Sequence, residues 1–146
     1  MKVVVVYDSA FGNTEEIAKA IGGAIAGGAE VIRVGEVNPA EMKSIDILVV
    51  GSPTNGGRPT PAILDFIDRL SEPAMKGVKV AAFDTRFSTR LVGIFGYAAE
   101  KIADGLKAKG AILVLPPEAF YVKSRKGPLK EGELDHAAIW AKEIAE

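Results

Sequence analysis

Uninterrupted apolar runs recur along this chain, separated by stretches in which apolar residues return every three or four positions. The run Val3–Tyr7 is mostly β-branched and shows no polar alternation, the pattern of a strand covered on both faces in a parallel sheet. From Glu15 the spacing turns helical, with Ile17, Ile21 and Ile25 on one stripe and two acids in the first turn. Gly27-Gly28 offers a left-handed cap, so this helix is expected to stop near Ala26, and Gly22-Gly23 within it reads as close packing of helix on sheet. The alternation then repeats. Strands are expected over 29–34, 45–51 and 78–83, with a short helix capped by Asn38-Pro39 and another over 62–70. Leu91, Ile94, Phe95, Ala98, Ile102 and Leu106 mark the core face of a long helix ending at Gly110, which leaves Tyr97 off the stripe and exposed. A fifth strand over 111–115 breaks at Pro116-Pro117 and resumes at 119–122. The last helix, over 131–146, turns Leu134, Ala138, Ala141 and Ala145 one way, with Trp140 locking it to the sheet and His136, the single histidine, solvated.

Strand and helix alternate with no repeat or linker, which predicts one α/β domain over residues 1–146. Composition agrees, at 48% hydrophobic and 25% charged residues. With no signal-like segment and no long apolar span, the expectation is a soluble, cytoplasmic chain. Zero cysteines exclude disulfides, iron–sulfur ligation and thiolate chemistry, so any redox activity must be borrowed from an organic cofactor. A net charge of −1 supplies no global field for nucleic acid or anionic lipid, and neither partner is expected.

Chemistry concentrates in the loops after strands. Residues 9–14 lie at a helix N-terminus, where unpaired N–H groups and the macrodipole favour an anion. Ser9, Asn13 and Thr14 add short donors, while Gly12 permits left-handed backbone and close approach. No Lys or Arg falls between Lys2 and Lys19, so the loop is no Walker motif, and the glycine fingerprint of dinucleotide sites is missing. A small phosphomonoester or a plain helix cap remains. The loop 52–61 combines stiffening prolines at 59 and 61 with Gly56-Gly57 at its tip, and a third loop is expected over 84–90. The basic run 124–130 reads as a solvated turn or a docking face.

Ser9-Ala10-Phe11-Gly12-Asn13-Thr14 after a valine-rich strand resembles the phosphate loop of the flavodoxins. The likeness continues collinearly through Gly51-Ser52-Pro53-Thr54 to Gly127-Pro128-Leu129 and Gly132-Glu133-Leu134. It implies a flavodoxin-like doubly wound sheet of five parallel strands, order 2-1-3-4-5, with helices on both faces and the ligand at the switch point. It also implies FMN as cofactor and a role as electron carrier between redox partner proteins, as a monomer or weak dimer, with no catalytic or metal-ligating residue. By this resemblance Ser9, Ala10, Phe11, Gly12, Asn13 and Thr14 hold the phosphate. Pro53, Thr54, Asn55, Gly56 and Gly57 border one side of the flavin ring, and Asp84, Thr85, Arg86 and Phe87 the other. Asn55 and Arg86 stand where the family commonly has aromatics. Arg58, Arg86 and Arg90 replace the usual acidic surroundings and are expected to ease formation of the fully reduced anion. Two alternatives stay open: an FMN-dependent NAD(P)H:quinone oxidoreductase-type enzyme, and a flavin-free flavodoxin-like binding domain. A phospho-receiver of this kind needs an acid after strand three and a lysine after strand five, and Gly51-Ser52 and Leu115-Pro116 supply neither.

Overall fold

In a computed structural model, which describes residues 1–87 and 97–146, the apolar run at the start is the buried centre of a sheet. β1 (Val3–Tyr7) pairs in parallel with β2 (Glu30–Arg33) on one side and β3 (Ile47–Pro53) on the other. β3 pairs with β4 (Lys79–Phe87), whose far edge carries β5 (Ile112–Leu113) and then β6 (Glu118–Val122), again in parallel. The order β2-β1-β3-β4-β5 is the one expected, and β5 and β6 are the two parts of the strand that the prolines divide.

Strand residues alternate between faces, so each run feeds two cores. Val4, Val6, Leu48 and Val50 pack with Ile63 and Phe66 of α2 (Pro61–Arg69), Met75 of α3 (Glu72–Met75), and Ile102 and Leu106 of α4 (Ala98–Ala108). Val3, Val5, Val49 and Ala81 face Ile17 and Ile21 of α1 (Asn13–Ala24) and Trp140 of α5 (Glu133–Ile144). Each such side chain, fully buried, stabilises the fold by about 1.5–3 kcal/mol. Helices cover both faces, which is why the strands show no polar alternation.

Several boundaries differ from the sequence-based expectation. α1 ends at Ala24, and Asn38 caps only a 3-10 turn, Pro39–Glu41. α4 starts at Ala98 because Tyr97 is extended, at φ −137° and ψ 153°; Leu91, Ile94 and Phe95 lie outside the described residues. The face of α5 is rotated: Ala137, Trp140, Ala141 and Ile144 are buried while Leu134 is exposed. Trp140 sets that rotation, since its ring meets Phe83 and Phe120 edge-on with centroids 6.0 and 5.9 Å away. His136 is not simply solvated. It lies 4.6 Å from the Phe120 ring, with Nδ1 3.2 Å from Glu133.

The glycine pair in α1 splits in function. A Cβ on Gly22 would run into Val31, as close helix–sheet packing requires, whereas one on Gly23 would meet nothing within 4 Å. Gly51 is the tighter case, because the Phe83 ring occupies the space a side chain there would need. Gly51→Ala is therefore expected to lower stability by about 1–3 kcal/mol through overpacking, and Gly23→Ala to raise it by about 0.5–1 kcal/mol. Denaturant unfolding of the two variants checks the pair; equal effects would mean that Phe83 moves aside freely.

Candidate functional site

The first loop is held open by its own side chains. The Ser9 hydroxyl oxygen accepts from the Gly12 N–H at 3.0 Å and from the Glu15 N–H at 3.4 Å, while Gly12 takes φ +93° at the mouth of α1. The N–H groups of Ala10, Phe11, Asn13 and Thr14 have no acceptor among the described residues. Both flanking acids are turned elsewhere. Asp8 accepts from the Thr60 hydroxyl at 2.6 Å and lies 3.5 Å from Arg33, and Glu15 accepts from the Tyr7 hydroxyl at 2.8 Å. Apart from the Ser9 N–H, which donates to Asp8 at 2.9 Å, the loop thus keeps its N–H groups at the positive end of the helix dipole free of carboxylate.

The second loop is a stiff frame with a closed tip. Ser52 Oγ accepts from the Thr60 N–H at 3.0 Å, and Thr60 caps α2. Asn55 and Arg58 exchange both backbone bonds, at 2.9 and 3.0 Å, across Gly56 (φ +56°) and Gly57 (φ +80°). Positive φ at both central residues is the geometry of a two-residue hairpin turn. The paired turn and the Lys101 ammonium, 2.7 Å from the Gly57 carbonyl, fasten the glycine tip.

Where a third loop was expected, β4 continues. Asp84 to Phe87 pairs with Ala119 to Val122 of β6, so the four side chains alternate. Thr85 and Phe87 turn toward the first loop, and the Thr85 hydroxyl lies 2.7 Å from that of Thr14. Asp84 and Arg86 turn the other way. The Asp84 carboxylate is fully buried, takes both prongs of the Arg86 guanidinium at 2.8 Å, and accepts from the Ala99 N–H at the start of α4. The Tyr97 ring covers the guanidinium at 3.5 Å, so Tyr97 is a packing residue and not the exposed one expected. Burial alone would lower the Arg86 pKa, but the bonds and charge of Asp84 raise it, and the cation is permanent.

These elements enclose a crevice of about 450 Å³, within the usual size of a small-molecule site. Ser9, Ala10, Phe11, Asn13 and Thr14 line it from the first loop, and Pro53, Thr54, Asn55 and Gly56 from the second. Thr85 and Phe87 complete the wall. Gly12, Gly57, Asp84 and Arg86 belong to the scaffold behind the lining. Arg58 is exposed outside it, and Arg90 lies outside the described residues. Sequence reading missed Val122 and Arg125, which close the crevice from the segment after β6. The basic run held the signal for Arg125, but only the long β4–β6 pairing brings it to this edge.

This arrangement, a doubly wound parallel sheet with unpaired N–H groups and a crevice at its switch point, has the fold of known proteins. The sequence matches the Flavodoxin domain over residues 4–110, and the chain belongs to the flavodoxin family. Among solved structures, it is similar to a flavodoxin from the domain Archaea, with 27% identity and TM-score 0.82 over 99% of this chain and 96% of that one. Flavodoxin 2 from Bacillus cereus gives 23% identity and TM-score 0.83 over 99% and 98% of the two chains. The Megasphaera elsdenii flavodoxin gives 24% and 0.72 over 95% and 97%. No curated protein matches significantly.

Two consequences of the site geometry are measurable. Arg86→Leu would leave the Asp84 carboxylate buried without its cation and is expected to cost about 3–5 kcal/mol in denaturant unfolding. A loss under about 1 kcal/mol would mean that Asp84 is satisfied without it. The second concerns pH. The Tyr7 hydroxyl, and after it Lys19, hold the Glu15 carboxyl below its ordinary range. A depressed carboxyl pKa stabilises the fold above the ordinary range, and that contribution is lost as pH falls through the folded value. The stability difference between wild type and Tyr7→Phe should therefore shrink on acidification below the carboxylate range; a constant difference would rule out the linkage.

Proposed function

We propose that the crevice holds FMN and that the chain is an electron carrier, with the cofactor supplying one- and two-electron chemistry when bound. The observation that carries this reading is the donor set of the first loop. Free N–H groups at a helix N-terminus and the Ser9 and Thr14 hydroxyls, with the flanking acids turned away, suit a phosphomonoester dianion and do not require a lysine. Ser9 spends its oxygen on Gly12 and Glu15, which leaves its O–H free to donate. Thr14 and Thr85 share a proton between two hydroxyl oxygens, so one of them can also turn outward.

A planar ring would extend from that phosphate site between the second loop and the β4 edge. Phe87 offers an apolar face, 42% exposed, and Phe11, 52% exposed, offers a second. Asn55 and Gly56 would border the opposite side. The Gly56 N–H has no acceptor among the described residues, while the Asn55 carbonyl already accepts from Arg58. Gly56 would therefore offer an N–H, and turning that peptide over would break the turn bond. Redox proteins remain the proposed partners, with the chain acting as a monomer or weak dimer in the cytoplasm. No described helix is long and apolar enough to cross a membrane.

The reading is tested by adding FMN to the purified chain and recording its visible spectrum, with riboflavin in parallel. Ser9→Ala and Thr14→Val should each weaken FMN by about 1.5–3 kcal/mol and leave riboflavin nearly unchanged. Equal losses for both ligands would show that this loop does not read phosphate. Rapid oxidation of NADH by the FMN-loaded chain alone would move the assignment to the enzyme alternative.

A further inference from the structure

The segment after β6 folds back on itself beside the crevice. The Lys123 N–H donates to the Pro128 carbonyl at 2.8 Å, Gly127 N–H to the Ser124 carbonyl at 2.9 Å, and Lys130 N–H to the Tyr121 carbonyl at 2.9 Å. It is fastened to the first loop: the Asn13 amide donates to the Lys126 carbonyl at 3.2 Å, and the same amide fills the space beside Gly127. A side chain at Gly127, which has φ +102°, would collide with it.

This pinned hairpin presents Lys123, Arg125, Lys126 and Lys130, all exposed, with no carboxylate within ion-pair distance among the described residues. That is unusual in a chain with as many acids as this one, whose net charge is −1. The ammonium of Lys126 stands 5.9 Å over the Phe11 ring and Arg125 lines the crevice, while the ammonium of Lys130 lies 5.6 Å over Tyr121, so the hairpin's charge runs from the crevice mouth out along its flank. Phe11 and Phe87 exposed at the mouth, unpaired charge on the hairpin beside it, and a backbone that does not need ordering on contact are the parts of a transient, electrostatically steered interface.

We propose that this face docks an acidic protein redox partner, the hairpin of residues 123–130 supplying the complementary charge. The proposal rests on the electron-carrier reading for its purpose, but not for its binding chemistry. Unpaired cations at fixed spacing attract a carboxylate-rich surface. The overall charge of −1 repels such a surface only weakly, and screening confines the attraction to this edge at physiological salt.

The test uses the FMN-loaded chain, labelled with nitrogen-15, and an acidic plant-type [2Fe–2S] ferredoxin as the probe, followed by NMR shifts. The expected result is shifts grouped at residues 122–130 and at Phe11 and Phe87, with affinity falling about tenfold or more between low and high salt. Lys123→Glu/Lys126→Glu/Lys130→Glu, kept saturated with FMN, should lose about tenfold or more in affinity for ferredoxin at low salt. Unchanged ferredoxin affinity in the triple variant, or shifts scattered away from the hairpin, would overturn the proposal. So would tighter binding to vesicles of phosphatidylglycerol and phosphatidylcholine than to ferredoxin, which would assign the face to a membrane. If the chain fails to take up FMN, the carrier reading falls, and the same titration of the flavin-free chain still decides whether the hairpin binds an acidic protein.

Discussion

β1 and β3 lie side by side in the middle of the sheet, with Tyr7 opposite Gly51, yet the helices that follow them cover opposite faces. That divergence is the constraint on which the crevice depends. α1 returns over the core of Ile17 and Trp140, α2 over the core of Ile63 and Ile102, so the two loops must part as they leave the sheet. Left alone, parting loops would be loose. Here Asp8 spans the gap: its N–H donates to the Gly51 carbonyl at 3.1 Å, and its carboxylate holds the Ser9 N–H and the Thr60 hydroxyl. One acid fixes both rims of the opening and is spent in doing so, which leaves the opening itself to the unpaired N–H groups of α1.

Much of this could be read before any coordinates. Doubly buried strands announce themselves by unbroken apolar runs, and the loop at Ser9 to Thr14 by its glycine and short hydroxyls. What could not be read was the direction of the side chains after Phe83. Asp84 and Arg86 look like loop residues because a strand interior seldom tolerates a charge. They are tolerated because residues two apart in a strand share a face, so the carboxylate and guanidinium meet at 2.8 Å under Tyr97. A partner two positions away is invisible to a reading based on hydrophobic period. The rotation of α5 was missed for a related reason: one leucine and three alanines gave one stripe, but Trp140, with a large ring to bury, sets the buried face.

The misplaced arginines matter to electrostatics. A buried guanidinium bound to a buried carboxylate is close to a neutral pair seen from the crevice, so Arg86 adds little to the potential there. Arg125 is different, since it is exposed, has no carboxylate within 4 Å among the described residues and lines the cavity directly. The cation at the crevice is thus not one of those named from the sequence but a residue from the far end of the chain.

How Arg125 reaches the crevice follows from the broken fifth strand. Lys79 faces Ile112 and Phe83 faces Glu118, so four steps along β4 are matched by six across the Pro116-Pro117 break. The surplus is even, and an even surplus preserves the alternation of faces. Phe120 therefore still meets Phe83 and Trp140 in the core, and Val122 stands beside Phe87 at the crevice. The interruption also lets β6 climb along β4 to Phe87, beyond the level at which β1 ends. Past Phe87 no described strand lies beside the chain, and it turns back against Asn13 of the first loop. An odd surplus would have turned Phe120 outward and Tyr121 into the core, and the basic hairpin would have lost both its footing and its place at the cavity mouth.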